Sequence, residues 1–186
     1  LKCMSMGFLV DEKAPIVWRG LMVMSAIERL LFKVKWSPLD ILVIDMPPGT
    51  GDVQLSISQH LKLNGSIIVS TPQELALIDA RRAIEMFRKV NVPCLGLVEN
   101  MSEFICSNCG HREHIFGGDD NKQQNETLVK KVANEYECDY LGSIPLSTKL
   151  REKSDLGQPL VILEPSNQIT LIYKDICHKI IKKLKF

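Results

Sequence analysis

The chain has no long apolar run. No stretch approaches the ~20 consecutive apolar residues of a membrane span, so no transmembrane segment is expected. It has no excess of one charge: 23 Lys plus Arg stand against 22 Asp plus Glu. That argues against a general nucleic-acid binder and leaves room only for a local basic patch. There is no internal repeat, no low-complexity linker and no visible secretory or transit signal. The first residue is Leu1, and the chain opens in mid-pattern. The expectation is therefore that an N-terminal part precedes it, and the missing signal leaves the compartment open. An even spread of cysteines is also lacking. Of six, only Cys106 and Cys109 form a pattern. Cys3, Cys94, Cys138 and Cys177 are isolated in apolar or helical stretches and are expected to be small buried hydrophobes. The usage suits a reduced, intracellular chain.

What is present is a core. With 186 residues and 45% hydrophobic content, the chain is expected to form one domain, residues 1–186. Strand-like and helix-like stretches alternate, which predicts an α/β fold with a mostly parallel sheet flanked by helices. Strands are expected at Cys3–Val10, Leu39–Ile44, Ser66–Ser70, Cys94–Val98 and Tyr140–Ile144. Helical spacing appears around Met22–Leu31, after Asp52, over Leu75–Phe87 and at Lys149–Ser154. Asn121–Tyr136 reads as a polar, exposed helix. Residues 104–118 interrupt the alternation as an inserted loop or hairpin. Residues 168–185 form an amphipathic terminal helix, with Ile169, Ile172, Ile176 and Ile180 on one face. Core docking is the preferred reading of that helix over a basic membrane-surface one.

The chemistry-bearing stretch is Ile41-Leu-Val-Ile-Asp45-Met-Pro-Pro-Gly-Thr-Gly-Asp52. An apolar run ends at an acid, and two prolines and two glycines then stop it. In open parallel sheets ligands bind beyond the carboxyl ends of strands. Asp45 would sit there to hold Mg²⁺ through water. Gly49 and Gly51, without side chains, let backbone N–H groups approach a phosphate. The structural alternative is an ordinary strand and tight turn. Asp52 reads first as a helix cap.

Asp45-Met-Pro-Pro-Gly-Thr-Gly-Asp52, Ser70-Thr-Pro-Gln73, Val98-Glu-Asn-Met-Ser102 and Cys106-x-x-Cys109 occur in this order and spacing. Together they resemble the Mrp/ApbC family of P-loop ATPases, relatives of MinD and ParA that carry iron–sulfur clusters. Within it, Cys3–Val10 and Trp18–Ile27 look closest to the mitochondrial branch that helps to assemble respiratory complex I. The family's Gly-rich phosphate loop with its lysines is not in this chain: no G-x-x-x-x-G-K-[ST] occurs. The resemblance therefore implies a MinD-like P-loop NTPase domain whose N-terminal strand and phosphate loop are missing. It implies a slow, switching ATPase in the intact protein, with this chain alone inactive.

The resemblance assigns Gly49 to the γ-phosphate, Asn100 to adenine and Pro145 to the loop over the base. An amide can donate to and accept from the adenine edge. Arg19 is expected either to bridge phosphate or a subunit partner, or to form a surface ion pair. Cys106 and Cys109 can both face one metal. Read from the residues alone, three completions stand open. His111 and His114 would make a local Cys₂His₂ zinc site. A twofold dimer would make Cys₄ for a [4Fe–4S] cluster. A disulfide-exchange pair is the third. The family uses the dimer, which leaves the two histidines as exposed loop residues. The cofactors so implied are ATP, Mg²⁺ and the cluster. The implied partners are a second copy of the chain and apo iron–sulfur proteins, possibly subunits of complex I. The implied compartment is the mitochondrial matrix, with the cytoplasm as the alternative. A non-ATPase zinc or cluster scaffold and a MinD/ParA-type positioning ATPase are the rival functions.

Overall fold

The computed structural model describes residues 1–10, 21–47, 49–106, 108–116 and 127–184. Arg19, Pro48 and the first part of the helix expected from Asn121 lie outside them. The backbone divides into two compact units, Leu1–Lys62 and Leu63–Phe186.

In the first unit, α1 spans Leu21–Phe32 and α2 spans Asp52–His60. Ala26 of α1 and Ile57 of α2 are buried. Trp36 closes the end of α1, where its indole N–H donates to the carbonyls of Leu30 and Leu31 at 3.2 Å. Lys2 Nζ donates to Trp36 O at 3.0 Å and Ser37 O at 2.8 Å, which ties the first residues to this turn.

Two expected strands fail in this unit. Cys3–Val10 holds a single 3₁₀ turn at Met6–Phe8, where Ser5 Oγ accepts from the Gly7 N–H. Residues 41–47 run without regular structure, and Val43 is 84% exposed. A strand exists only where a neighbour accepts and donates its ladder bonds. Among the described residues none pairs with this stretch.

The second unit carries the sheet. β1 (Ser66–Ser70), β2 (Cys94–Ile105) and β4 (Tyr140–Leu146) are parallel, in the order β1-β2-β4. The short β3 (Arg112–Glu113) pairs antiparallel with the far end of β2. Helix α3 (Glu74–Lys89) connects β1 to β2, and α4 (Leu128–Glu135) leads to β4. Ile67, Ile68 and Val69 give β1 its β-branched character.

Both helices bury one stripe. Leu77 and Ile84 of α3, and Val129 and Val132 of α4, are fully buried. The expectation of a polar, exposed α4 is therefore corrected. Its polar residues face out, while Val129, Val132 and Ala133 supply the apolar stripe that docks it.

Helices α5 (Thr148–Asp155) and α6 (Leu160–Leu163) follow β4. The short α6 was not foreseen, because four apolar residues carry no readable period. Helix α7 (Gln168–Leu184) docks against β4 as expected. Ile176 joins Val98, Leu141 and Ile144 in a buried cluster, with Ile172 and Ile180 packed beside it. Among the described residues, no helix is long and apolar enough to cross a membrane.

Candidate functional site

In the first unit, Asp45 lies exposed on the irregular stretch before the Pro-Gly turn. Gly49 has φ +93°, and a Cβ built there would meet nothing within 4 Å. This is a backbone conformation that residues with side chains rarely adopt, with open space on the Cβ side of the residue. Gly51 occupies the cap position of α2, so Asp52 is the first helical residue rather than the cap. Its side chain lies outside the description.

Gln54, a buried residue that sequence reasoning passed over, fixes the turn from below. Its Nε2 donates to Pro47 O at 2.8 Å, and Ser58 Oγ donates to Gln54 O at 2.8 Å. A glutamine five residues after the glycine of a Pro-Gly turn is too ordinary a signal to have flagged it.

In the second unit, the sheet brings Asn100 and Pro145 together. Asn100 of β2 pairs in register with Ile144 of β4, immediately before Pro145. Both lie toward the carboxyl ends of parallel strands, and both are half-buried. Between Asn100 and Phe104 the register breaks, and Met101 adopts φ +55°. For a residue with a side chain this left-handed conformation is strained. It marks the irregularity in β2 after which pairing with β4 resumes at Phe104–Leu146 and the hairpin begins.

Glu99, beside Asn100, is a buried acid to which the sequence assigned no role. It is 1% exposed. Its Oε2 accepts from Thr127 Oγ1 at 2.7 Å and from Tyr140 Oη at 2.8 Å, while Oε1 has no partner among the described residues. Thr127 Oγ1 also caps α4. The carboxylate thus joins β2, β4 and the start of α4. Burial, and then the adjacent Glu99 carboxylate, raises the Tyr140 phenol well above its ordinary range. An acid inside an apolar strand was the available signal, because a buried carboxylate requires donors.

The hairpin is built from Phe104–Ile105 against Arg112–Glu113. Arg112 Nη1 bridges to Glu103 Oε1 at 2.8 Å across its base. At the tip, Cys106 N–H donates to His111 O and Gly110 N–H to Cys106 O, both at 2.9 Å. Gly110 has φ +72°, the conformation that turns the chain back.

The backbone N–H groups of Cys109 and Asn108, and then the Cys109 thiol, are the groups that bear most on the Cys106 sulfur. Those donors favour the thiolate and hold the Cys106 thiol below its ordinary range. Cys109 is exposed. His111 and His114 are exposed as well, and a His114 ring nitrogen sits 3.1 Å from Ser102 O. Among the described residues, no third His, Cys, Asp or Glu joins the two thiols as a possible metal ligand.

The four isolated cysteines are not buried as expected. Cys3 and Cys177 are exposed, and Cys94 and Cys138 are half-buried. Cys3 falls outside any strand, Cys94 and Cys138 sit where strands begin, and Cys177 lies on the wet face of α7.

A family model described as ParA, NUBPL iron-transfer P-loop NTPase matches residues 1–181. The chain belongs to this family. The mouse iron–sulfur cluster transfer protein NUBPL is 55% identical over all of this chain and 56% of its own length. The Arabidopsis iron–sulfur protein required for NADH dehydrogenase, mitochondrial, is 51% identical over all of this chain and 56% of its own length. An iron–sulfur cluster carrier protein of Pseudomonas fragi is 51% identical over 95% of this chain and 58% of its own. The chain thus spans little more than half the length of these relatives. The solved structure of a nucleotide-binding protein from Archaeoglobus fulgidus, in complex with ADP, matches with a TM-score of 0.62. It is 40% identical, covering 74% of this chain and 54% of that one. The mostly parallel sheet flanked by helices is thereby that of the P-loop NTPases.

Proposed function

We propose that this protein is a nucleotide-switched iron–sulfur cluster carrier, with the cluster as cargo rather than as a resident cofactor. The observation that carries the reading is the hairpin tip. It presents two adjacent thiols, one stabilised as thiolate by backbone donors, with no further ligand beside them among the described residues. Two thiolates leave a metal site half-built. A twofold axis that brings a second tip against the first supplies the other half, and Cys₄ suits a [4Fe–4S] cluster. The same observation weighs against a zinc site completed by His111 and His114.

Nucleotide enters through the residues described above. Asp45, exposed at the end of its apolar run, would hold Mg²⁺ through water, as a hard oxygen ligand does. Gly49, which has open space where a Cβ would stand, would present its backbone N–H to a γ-phosphate. Asn100 reads the adenine edge, and Pro145 lies beside it where the base would be covered. ATP supplies a binding switch remote from the cluster, so its effect must travel through the protein. Met101 lies on β2 between Asn100 and the hairpin, and Glu99, beside Asn100, is linked to Thr127 at the start of α4. Without a G-x-x-x-x-G-K-[ST] loop, this chain by itself is expected to show no appreciable ATP hydrolysis.

The cargo is handed to apo iron–sulfur proteins. One relative is named an iron–sulfur cluster transfer protein and another an iron–sulfur protein required for NADH dehydrogenase, mitochondrial, which favours subunits of respiratory complex I as recipients and the mitochondrial matrix as the compartment. The test is a transfer assay. Protein reconstituted anaerobically with iron and sulfide is mixed with an apo [4Fe–4S] acceptor, and acceptor activity is followed. Activation by the wild type, and none by Cys106→Ser or Cys109→Ser, supports the reading. Reconstitution that yields colourless protein with bound zinc overturns it.

A further inference from the structure

Away from the hairpin tip, the second unit brings another two thiols together. Cys94 opens β2, and Cys138 lies two residues before β4. The strands are parallel neighbours, with Leu97 opposite Tyr140 and the Leu97 N–H donating to Asp139 O at 2.8 Å. Their starting ends are therefore side by side, which brings Cys94 and Cys138 together on neighbouring strands, and the Cys138 thiol is among the groups that raise the Cys94 thiol.

The surroundings hold Cys138 in place. Its Sγ donates to Tyr136 O at 3.4 Å. The same carbonyl accepts from Arg88 Nη2, and the Arg88 guanidinium lies 5.2 Å from the Tyr136 ring centroid. Both cysteines are free and half-buried, so each is partly open to a small reagent. The chain between them holds the rest of β2, the cysteine hairpin and α4.

We propose that Cys94 and Cys138 are a second, redox-active thiol pair, whose reversible disulfide staples the starts of β2 and β4. The oxidant is a low-molecular-weight disulfide of the glutathione class. Cys138 loses its proton to solvent and attacks one sulfur of the reagent. The reagent's S–S bond breaks, and one thiolate leaves and takes up a proton. Cys94 then loses its proton to solvent and attacks the Cys138 sulfur of the mixed disulfide, expelling the second thiol. Two protein thiols and one small disulfide become one protein disulfide and two small thiols. The order follows from the environment. Burial, and then the neighbouring Cys138, pushes the Cys94 thiol up to about 12, so Cys94 is the poorer first nucleophile. The staple closes the stretch that carries the hairpin into a loop, which restricts the unfolded chain.

The experiment uses the whole chain with Cys106→Ser and Cys109→Ser, so that the tip thiols do not compete. Its result is thereby independent of the cluster function. The protein is treated with oxidised glutathione, quenched in acid, digested and mapped by mass spectrometry. The expected result is a Cys94–Cys138 cross-link, with four free thiols falling to two. Tm should rise by roughly 10 °C and return on treatment with a dithiol reductant. Adding Cys138→Ala should abolish both the cross-link and the Tm rise. Glutathione retained only as a mixed disulfide, cross-links through Cys3 or Cys177, unchanged thiols, or a Tm that does not rise would each overturn the proposal.

Discussion

At Cys106, two backbone N–H groups stand in for a counter-ion. The amides of Cys109 and Asn108 stabilise its thiolate, so it ionises at lower pH than a free thiol of ordinary value 9.0. Cys94 lies on the other side of that value, pushed up by burial. At neutral pH, iodoacetamide should therefore alkylate Cys106 faster than Cys94. The midpoint of the rate against pH should fall below 9.0 for Cys106 and above it for Cys94, as peptide-resolved mass spectrometry would show. Glu99 gives a second residue-scale outcome. Tyr140→Phe removes one of the two donors on Oε2 and leaves the carboxylate to Thr127 alone. A hydrogen bond to a carboxylate is worth about 1.5–3 kcal/mol, and the variant should lose about that much in urea unfolding. Of these features the sequence showed only the Cys-x-x-Cys spacing. The amide donors depend on how the tip turns at Gly110, and the two Glu99 partners come from two other elements, the start of α4 and β4.

At the scale of elements, periodicity was informative where packing and local pattern agree. Helix α7 is the clear case, since its isoleucine stripe is the face that meets β4. β1 and β4 were readable for the same reason. The stretch before Asp45 was not, although it is more strand-like in composition than either. Its ladder would have to come from a neighbour, and a sequence pattern records side chains rather than partners. The inner edge of β2 against β4 offers the sharpest test of the register. Gly96 has φ +151°, and a Cβ added there would lie 2.5 Å from Asp139 O. That carbonyl accepts the Leu97 N–H, so it cannot retreat without weakening the pairing. Gly96→Ala should cost at least about 2 kcal/mol, read as a lower midpoint in chemical unfolding with the slope unchanged.

At the scale of the whole molecule, the proposed cluster site is one that a single chain supplies by half. Two thiols at a hairpin tip can hold a [4Fe–4S] cluster only if a second chain brings two more. Symmetry would then make cluster loading and dimerisation one event, linked by mass action. Analytical ultracentrifugation of anaerobically reconstituted protein, with iron and sulfide assayed on the sedimenting species, measures both at once. The prediction is a dimer that carries about four iron and four sulfide per two chains and falls to monomer in the Cys106→Ser, Cys109→Ser variant. A monomer with a full cluster, or a loaded dimer that the double variant leaves intact, would contradict the shared site.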